Sequence, residues 1–230
     1  MDLNIKNYGV INLGDIEIWI TDTLIGIWIV AGVLIAFAVF FRIKVRTFKE
    51  VPTGLQNAVE AIVEAFESYV YTTAGEKLMF LGNWFFTVFI FVLLSNISGI
   101  FSMRPPTADW ALTVSLAVVT FLIIQAMGVK YRGWGYIKSF FEPMPLFLPI
   151  NLIGELARPI SLSFRLFGNI LAGTVMMSLI YSIAPVYTHF VVPVFLHAYF
   201  DLFAGVLQTY IFVTLSLSFI CGAAEVPDAG

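Results

Sequence analysis

Charged residues are scarce in this chain of 230 residues. They make up 12% of it, about half the share usual in a soluble domain, while 60% of the residues are hydrophobic. The mean hydropathy is +0.92. A soluble fold of this length needs more polar surface, so the composition indicates an integral membrane protein. The net charge of −3 gives no basic excess, and we expect no nucleic-acid partner.

Several motifs of other protein classes are missing as well. A single cysteine, Cys221, excludes an internal disulfide and gives no metal site. Residues 1–23 carry more acidic than basic side chains, so no cleavable signal peptide is expected. The chain has no GxxxxGK[ST] loop and no HExxH pair, so we expect no nucleotide-hydrolysing site, no metal and no cofactor.

Long uncharged runs predict the membrane spans, because about 20 apolar residues cross a bilayer. The uncharged stretch after Arg165 is too long for one span, and Pro185 and Pro193 indicate a turn within it. The expected fold class is therefore an all-α polytopic membrane protein with one integral membrane domain, residues 1–230. It has an external N-terminus at 1–23 and five crossings, at 24–41, 78–103, 111–129, 146–183 and 190–222, the last two forming a long tilted hairpin.

Residues 53–74 predict an amphipathic helix in the membrane interface. Its apolar residues recur at helical spacing, and its glutamates fall elsewhere on the helix; the apolar set is Leu55, Val59, Ile62, Val63, Phe66 and Val70. Helices that adsorb to lipid usually carry a basic polar face. The acidic face here favours packing against protein.

The orientation follows from the basic residues. They cluster after the first and third spans: Arg42, Lys44, Arg46 and Lys49, then Lys130, Arg132 and Lys138. Cytoplasmic loops carry such an excess, so both loops are expected to be cytoplasmic. The N-terminus is then outside, and five crossings place the C-terminus, with Glu225 and Asp228, inside.

Arg165 is the most unusual residue of the chain. Its neighbours one helical turn away, Ser161 and Asn169, are neutral, and apart from histidine the next ionisable acidic or basic residue after it is Asp201. A charge in the bilayer costs roughly 3 kcal/mol on insertion scales, so such a residue is a functional candidate by default. A purely structural arginine would bring its own carboxylate, and we expect Arg165 to be functional.

The remaining polar residues of the last two spans leave alternatives open. Glu155 and Arg158 are three apart and form either a structural pair or part of an ion path. His197, Asp201 and Gln208 form one polar stripe of a helix. The stripe either lines a water-filled path or hydrogen-bonds two helices together. Thr174 and Ser178 suit helix packing as well as an ion path, and His189 fits an interfacial position.

An unpaired cation flanked by neutral polar groups can attract a carboxylate that arrives from elsewhere and release it again. It also opposes direct passage of a cation. No carboxylate of this chain is obviously placed to arrive at Arg165, so the partner is expected to lie on another subunit.

Several segments around these residues resemble those of a known protein family. The segment PINLIGELARPISLSFRLFGNILAG at 149–173 contains the specific core RLFGN at 165–169, and further matches are PPTADWALTVSLA at 105–117, VPTGLQNAVEAIVEAF at 51–66 and LQTYIF at 207–212. On these segments the chain resembles subunit a of F-type ATP synthases, the stator subunit of the membrane-embedded rotary motor. The resemblance covers most of the chain from about residue 50.

The resemblance implies a mechanism and partners. A ring of c subunits carries ions on carboxylates, two offset half-channels in subunit a deliver and remove them, and Arg165 matches the family's essential arginine between the half-channels. Asn169 and Gln208 match polar positions beside it, and Glu155 matches a carboxylate before it. Peripheral-stalk b subunits, the other F1Fo subunits and membrane lipid are the further partners implied. A bacterial plasma membrane is expected, with H⁺ favoured over Na⁺.

Two positions depart from the family pattern. Many relatives have Glu where this chain has Thr174, and some have His where it has Asp201. In such proteins the two residues work in one half-channel. Here Asp201, together with His197, would have to serve in that half-channel, with Thr174 beside it.

Other functional classes fit less well. A stand-alone secondary ion transporter predicts internal repeats and broken helices in matching halves, and neither is present in the sequence. An intramembrane hydrolase needs a nucleophile with a base in reach, and a metalloprotease needs a motif such as HExxH. A purely structural scaffold has no use for Arg165.

Overall fold

The computed structural model describes residues 7–13, 16–49, 54–101, 104–183 and 192–224. These residues form a β-hairpin followed by helices. The hairpin consists of β1, Asn7–Leu13, and β2, Ile16–Thr21. The helices are α1 (Asp22–Lys44), α2 (Leu55–Ala74), α3 (Gly82–Ile97), α4 (Trp110–Arg132), α5 (Trp134–Ser139), α6 (Leu148–Ile183), α7 (Val192–His197) and α8 (Gly205–Ala224), with a π-helical segment at Ala198–Ala204 between the last two.

In the described part of the chain, five helical segments are long and apolar enough to cross a membrane: Asp22–Thr47, Glu76–Ile100, Trp110–Arg132, Pro145–Ser182 and Phe195–Ala224. They confirm the all-α polytopic fold class. Several helices run past the uncharged stretches that predicted them, and α1 begins at Asp22 and ends at Lys44. Charged side chains are tolerated at helix ends because they reach the polar interface, so uncharged runs underestimate helix length.

The β-hairpin is an addition to the sequence-based expectation. The strands pair antiparallel, with Val10 opposite Trp19 and Asn12 opposite Glu17, and a bulge lies between Asn7 and Gly9. Thr21 ends β2 and Asp22 begins α1, so the hairpin leads into the first span without a linker. The Tyr8 hydroxyl forms a hydrogen bond with the side chain of Asp22. That hydrogen bond and the negative charge of Asp22 raise the pKa of the Tyr8 hydroxyl.

The chain divides into two compact units. The first unit comprises Met1–Ile35, Ile90–Val114 and Ser163–Tyr210. The second comprises Ala36–Phe89, Ser115–Leu162 and Ile211–Gly230.

The core of the second unit is apolar and includes the C-terminal half of α2. Phe66 packs edge-on against Phe86 with ring centroids 5.1 Å apart, and the Tyr69 hydroxyl lies 2.7 Å from the Thr214 hydroxyl. Val70 is fully buried, and Gly75, at φ 70°, ends the helix in a conformation that favours glycine. The packing against protein predicted for this helix is therefore present in its C-terminal half. Its N-terminal half leaves Leu55 and Ile62 exposed.

The last two spans are long, as their sequence predicts. Helix α6 has 36 residues, and α7, the π-helical segment and α8 follow one another from Val192 to Ala224. The proposed turn at Pro185, the position of His189 and the C-terminal acidic residues lie outside the described residues.

Candidate functional site

Helix α6 carries Arg165 at the edge of its buried face. The buried face of the helix within the first unit is formed by Leu166, Ile170, Gly173 and Met177, at helical spacing. Arg165 and Phe164 are exposed beside it. Among the described residues, the Arg165 side chain has neither an ion pair nor a hydrogen bond. The sequence places a permanent cation in a membrane span, and within the described part of the chain it is exposed on the helix surface.

Asn169 and Thr174 follow Arg165 on the same helix. Asn169 is partly exposed, yet its Nδ2 atom is buried and has no hydrogen-bond partner among the described residues. Thr174 donates its hydroxyl hydrogen bond to the carbonyl of Ile170, 2.9 Å away on its own helix. The amide of Asn169 therefore has an unused donor, whereas the threonine donor is occupied.

His197 and Asp201 form a close pair at the start of the last span. His197 Nδ1 lies 2.6 Å from Asp201 Oδ2, and the two side chains are 32% and 18% exposed. Asp201 belongs to the π-helical segment, and its carboxylate packs over the backbone at Gly99. A Cβ atom added to Gly99 would lie 3.1 Å from the carboxyl carbon of Asp201. Short π-helical segments inside α-helices occur frequently at functional sites.

Gln208 is not joined to that pair by a hydrogen bond within the described residues. Its side chain is 7% exposed, and Nε2 is buried without a partner. The seven-residue spacing from Asp201 crosses the π-helical segment, whose turns hold more residues than an α-helix. The α-helical angle that placed Asp201 and Gln208 on one stripe therefore does not apply here.

A buried polar network in the first unit was not predicted from the sequence. Asn96 donates from Nδ2 to the Gly205 carbonyl at 3.0 Å and to the Thr209 hydroxyl at 3.1 Å. Thr107 donates to Asn96 Oδ1 at 2.7 Å. The Asn96, Thr107 and Thr209 side chains are all fully buried. An asparagine in an apolar span was the available signal, but two of its partners, Gly205 and Thr209, lie more than 100 residues away on α8.

Glu155 lies in the second unit and is paired as its spacing predicts. Arg158 Nη1 is 2.8 Å from Glu155 Oε1, and the guanidinium stacks over the Phe219 ring at 5.2 Å. Gln125 donates from Nε2 to Glu155 Oε2 at 3.2 Å, and the Tyr136 hydroxyl donates to Gln125 Oε1 at 3.0 Å. Gln125 and Tyr136 were not predicted as site residues.

Glu155, Arg158 and Tyr136 border a cavity of about 560 Å³ within the second unit. Seven of its twelve lining residues have polar or charged side chains: Arg132, Tyr136, Ser139, Glu142, Asn151, Glu155 and Arg158. Burial, followed by the negative charge of Glu155, raises the pKa of the Tyr136 hydroxyl. Polar lining of this kind suits water and small ions better than an apolar ligand.

No group of three or more histidine, cysteine, aspartate or glutamate side chains in the described part of the chain could hold a metal ion. The polar groups described in the two units are the Glu155–Arg158 and His197–Asp201 pairs, the charge of Arg165, amides and hydroxyls. Such groups can attract and release small ions.

Comparison with known proteins identifies the family. The model of the family described as "ATP synthase A chain" matches residues 24–221. The chain is 38% identical to "ATP synthase subunit a, sodium ion specific" of Propionigenium modestum, over 89% of this chain and 74% of that relative. It is 34% identical to "ATP synthase subunit a 2" of Acaryochloris marina, over 89% and 86%, and 33% identical to "ATP synthase subunit a" of Desulfosudis oleivorans, over 86% of each.

The match extends over nearly all of the five membrane-crossing segments, including the span that carries Arg165. The chain therefore belongs to the ATP synthase A chain family, the ion-translocating stator subunits of the membrane sector of that complex.

Proposed function

We propose that Arg165 is the residue that meets the ion-carrying carboxylates of a rotating c-ring, and that this chain guides ions to and from them. The observation that carries the proposal is that Arg165 is exposed in the middle of a membrane span, with no partner among the described residues. A cation in the bilayer is costly unless an opposite charge neutralises it. A carboxylate from another subunit would supply that charge.

The mechanism follows from this electrostatic role. A ring carboxylate approaches Arg165 carrying an ion, and the guanidinium favours its charged form, so the ion leaves into one half-channel. The carboxylate passes the arginine and takes a new ion from the other half-channel. A free cation that tried to pass directly between the half-channels would meet the charge of Arg165 and be repelled.

The two half-channels would use the polar groups of the two units. In the first unit, the His197–Asp201 pair and the unpartnered amide nitrogens of Asn169 and Gln208 suit the outer half-channel, with Thr174 beside it. In the second unit, Glu155 borders a polar cavity and suits the inner one. Arg132, which lines that cavity, belongs to a basic loop that the positive-inside rule assigns to the cytoplasm.

The transported ion is proposed to be H⁺, with Na⁺ as the competing candidate. A relative at 38% identity is named as sodium ion specific. Ion coordination is expected on the ring, so this chain alone does not distinguish the ions. The proposed setting is a bacterial plasma membrane with the N-terminus outside and the C-terminus in the cytoplasm. The c-ring and the b subunits are the proposed neighbours within the F1Fo complex.

The test is ATP-driven ion pumping in inverted membrane vesicles, with and without Na⁺. Arg165→Ala is compared with native complex and with Arg46→Ala, which removes an exposed arginine from the loop after α1. Rates are divided by the amount of assembled complex. We expect pumping to be lost in Arg165→Ala, retained in Arg46→Ala and independent of Na⁺.

Each contrary result has a defined meaning. If pumping by native vesicles requires Na⁺, the transported ion is Na⁺ and the proposal of H⁺ is wrong. Coupled pumping at the native rate in Arg165→Ala would refute the role of Arg165. Ion movement by the purified chain without the other subunits would favour a stand-alone transporter.

A further inference from the structure

Four side chains of the second unit form one continuous hydrogen-bonded series. The Tyr136 hydroxyl donates to Gln125 Oε1, Gln125 Nε2 donates to Glu155 Oε2, and Arg158 binds Glu155 Oε1. The two oxygens of the Glu155 carboxylate therefore have different partners. Tyr136 does not touch Glu155 through a hydrogen bond, so any effect it has on the carboxylate is transmitted by Gln125.

The direction of the series is set by the chemistry of its members. A glutamine side chain has one carbonyl acceptor and one NH₂ donor, and a carboxylate can only accept. Because the Tyr136 hydroxyl donates to the carbonyl of Gln125, the amide turns its NH₂ group toward Glu155. The reversed amide would place its oxygen against the carboxylate, with no hydrogen between them.

Tyr136 is itself held in place by close packing. Its side chain is 5% exposed, and its ring lies edge-on to Phe140 with centroids 5.2 Å apart. The ring also rests on the backbone of α4 at Gly128, where an added Cβ would come within 2.6 Å of the ring. Glycine at this position lets the hydroxyl reach Gln125, one turn away on the same helix.

We propose that Gln125 and Tyr136 are positioning residues that keep one oxygen of Glu155 turned away from Arg158 and available to ions in the cavity. This inference rests on the proposed role of Glu155 in the inner half-channel. Without the donor from Gln125, the carboxylate is free to rotate and engage two N–H groups of Arg158, a geometry that arginine and carboxylate favour. A carboxylate closed into such a pair captures cations less readily. The other ionisable groups that line the cavity are Arg132 and Glu142.

The test measures ion conduction through the membrane sector from the cytoplasmic side. Inverted vesicles are stripped of the catalytic F1 sector, so that the cytoplasmic face is exposed to the medium. A potassium diffusion potential then drives ions inward. Initial rates are recorded over a range of H⁺ or Na⁺ concentrations in the medium, which separates the half-saturating concentration from the maximal rate.

Tyr136→Phe is the decisive variant, because it removes one oxygen atom and keeps the packed ring. Gln125→Leu removes the amide itself. Tyr131→Phe is the matched control, since the Tyr131 hydroxyl also makes a hydrogen bond in this unit, at 3.0 Å to the carbonyl of Lys77, but has no link to Glu155. All rates are normalised to the assembled complex.

We expect Tyr136→Phe and Gln125→Leu to raise the half-saturating ion concentration about 2- to 10-fold, the range that one hydrogen bond supports. The maximal rate should stay close to native, and Tyr131→Phe should match native in both quantities. In a Glu155→Gln background, Tyr136→Phe should cause no further change, because the carboxylate it positions is gone.

Three results would overturn the inference. One is an unchanged half-saturating concentration in Tyr136→Phe. Another is a change of the same size in the Glu155→Gln background, which would make Tyr136 purely structural. The third is a Glu155→Gln variant that conducts like native, which would also remove Glu155 from the proposed inner half-channel. If Arg165→Ala has lost pumping in that case, the proposed role of Arg165 stands. If Arg165→Ala pumps normally, the proposed function itself is wrong.

Discussion

Replacing Asn96 with leucine should destabilise the protein by about 3 to 5 kcal/mol. Asn96 is fully buried and takes part in three hydrogen bonds, to Gly205, Thr209 and Thr107. Hydrogen bonds inside membrane proteins contribute about 0.6 kcal/mol each, or about 2 kcal/mol for three. The Gly205 carbonyl keeps the hydroxyl of Thr209 as a donor at 2.8 Å. The Thr107 hydroxyl has no other acceptor among the described residues, and an unsatisfied buried group costs about 1 to 3 kcal/mol.

The assay is the thermal midpoint at which the detergent-solubilised complex loses this subunit. For a chain of this size, 1 kcal/mol corresponds to about 2 to 4 °C. Asn83→Leu is the matched control, because it makes the same chemical change at an exposed position on the same helix. We expect the midpoint of Asn83→Leu to remain within about 2 °C of native, the effect of a surface substitution.

A second substitution checks the energy assigned to Thr107. Asn96→Leu combined with Thr107→Val removes the unsatisfied hydroxyl, so the double variant should be about 1 to 3 kcal/mol more stable than Asn96→Leu alone. Equal midpoints for Asn96→Leu and Asn83→Leu would refute the reasoning, and so would a double variant that is less stable than the single one.

Three further predictions concern other positions. Gly99→Ala places a methyl group 3.1 Å from the Asp201 carboxyl carbon and should slow ATP-driven pumping at least several-fold, whereas Gly32→Ala, with open space around it, should pump normally. The raised pKa of Tyr136 means that the folded state favours the protonated phenol. The stability that the protonated Tyr136 contributes is therefore complete below pH 10 and is lost as the pH rises above 10. In an alkaline denaturation series, the Tyr136→Phe variant should therefore lose less stability than the native protein. Arg165→Lys should reduce the ATP-driven pumping rate to less than about a tenth of the native rate. The lysine ammonium lacks the planar set of donors of arginine and loses its proton far more readily in an apolar site.

Local spacing accounts for what the sequence predicted well. The ion pair between Glu155 and Arg158 joins residues three apart, and the contact between His197 and Asp201 joins residues four apart. The spacing of Glu155 and Arg158 follows from α-helix geometry once a helix is assumed. His197 and Asp201 are in contact although Asp201 lies in the π-helical segment. The spans themselves follow from bilayer thickness, because apolar length is dictated by the solvent.

Contacts between distant segments could not be predicted in this way. Asn96 is linked to Gly205 and Gln125 to Glu155 by hydrogen bonds between helices, and no periodicity in the sequence encodes those pairs. The π-helical segment at Ala198–Ala204 was missed because the apolar periodicity of the sequence was interpreted as a continuous α-helix. It also removed the basis for placing Gln208 on a common stripe with Asp201.

The central claim is that Arg165 separates two half-channels and exchanges charge with a passing carboxylate. The most direct measurement is the passive ion leak of the membrane sector, freed of F1 and with the ring prevented from turning by cross-linking to this chain. The account predicts that the native sector is tight and that Arg165→Ala leaks ions under a diffusion potential, because the electrostatic barrier is gone. An Arg165→Ala sector that remains as tight as native would contradict it.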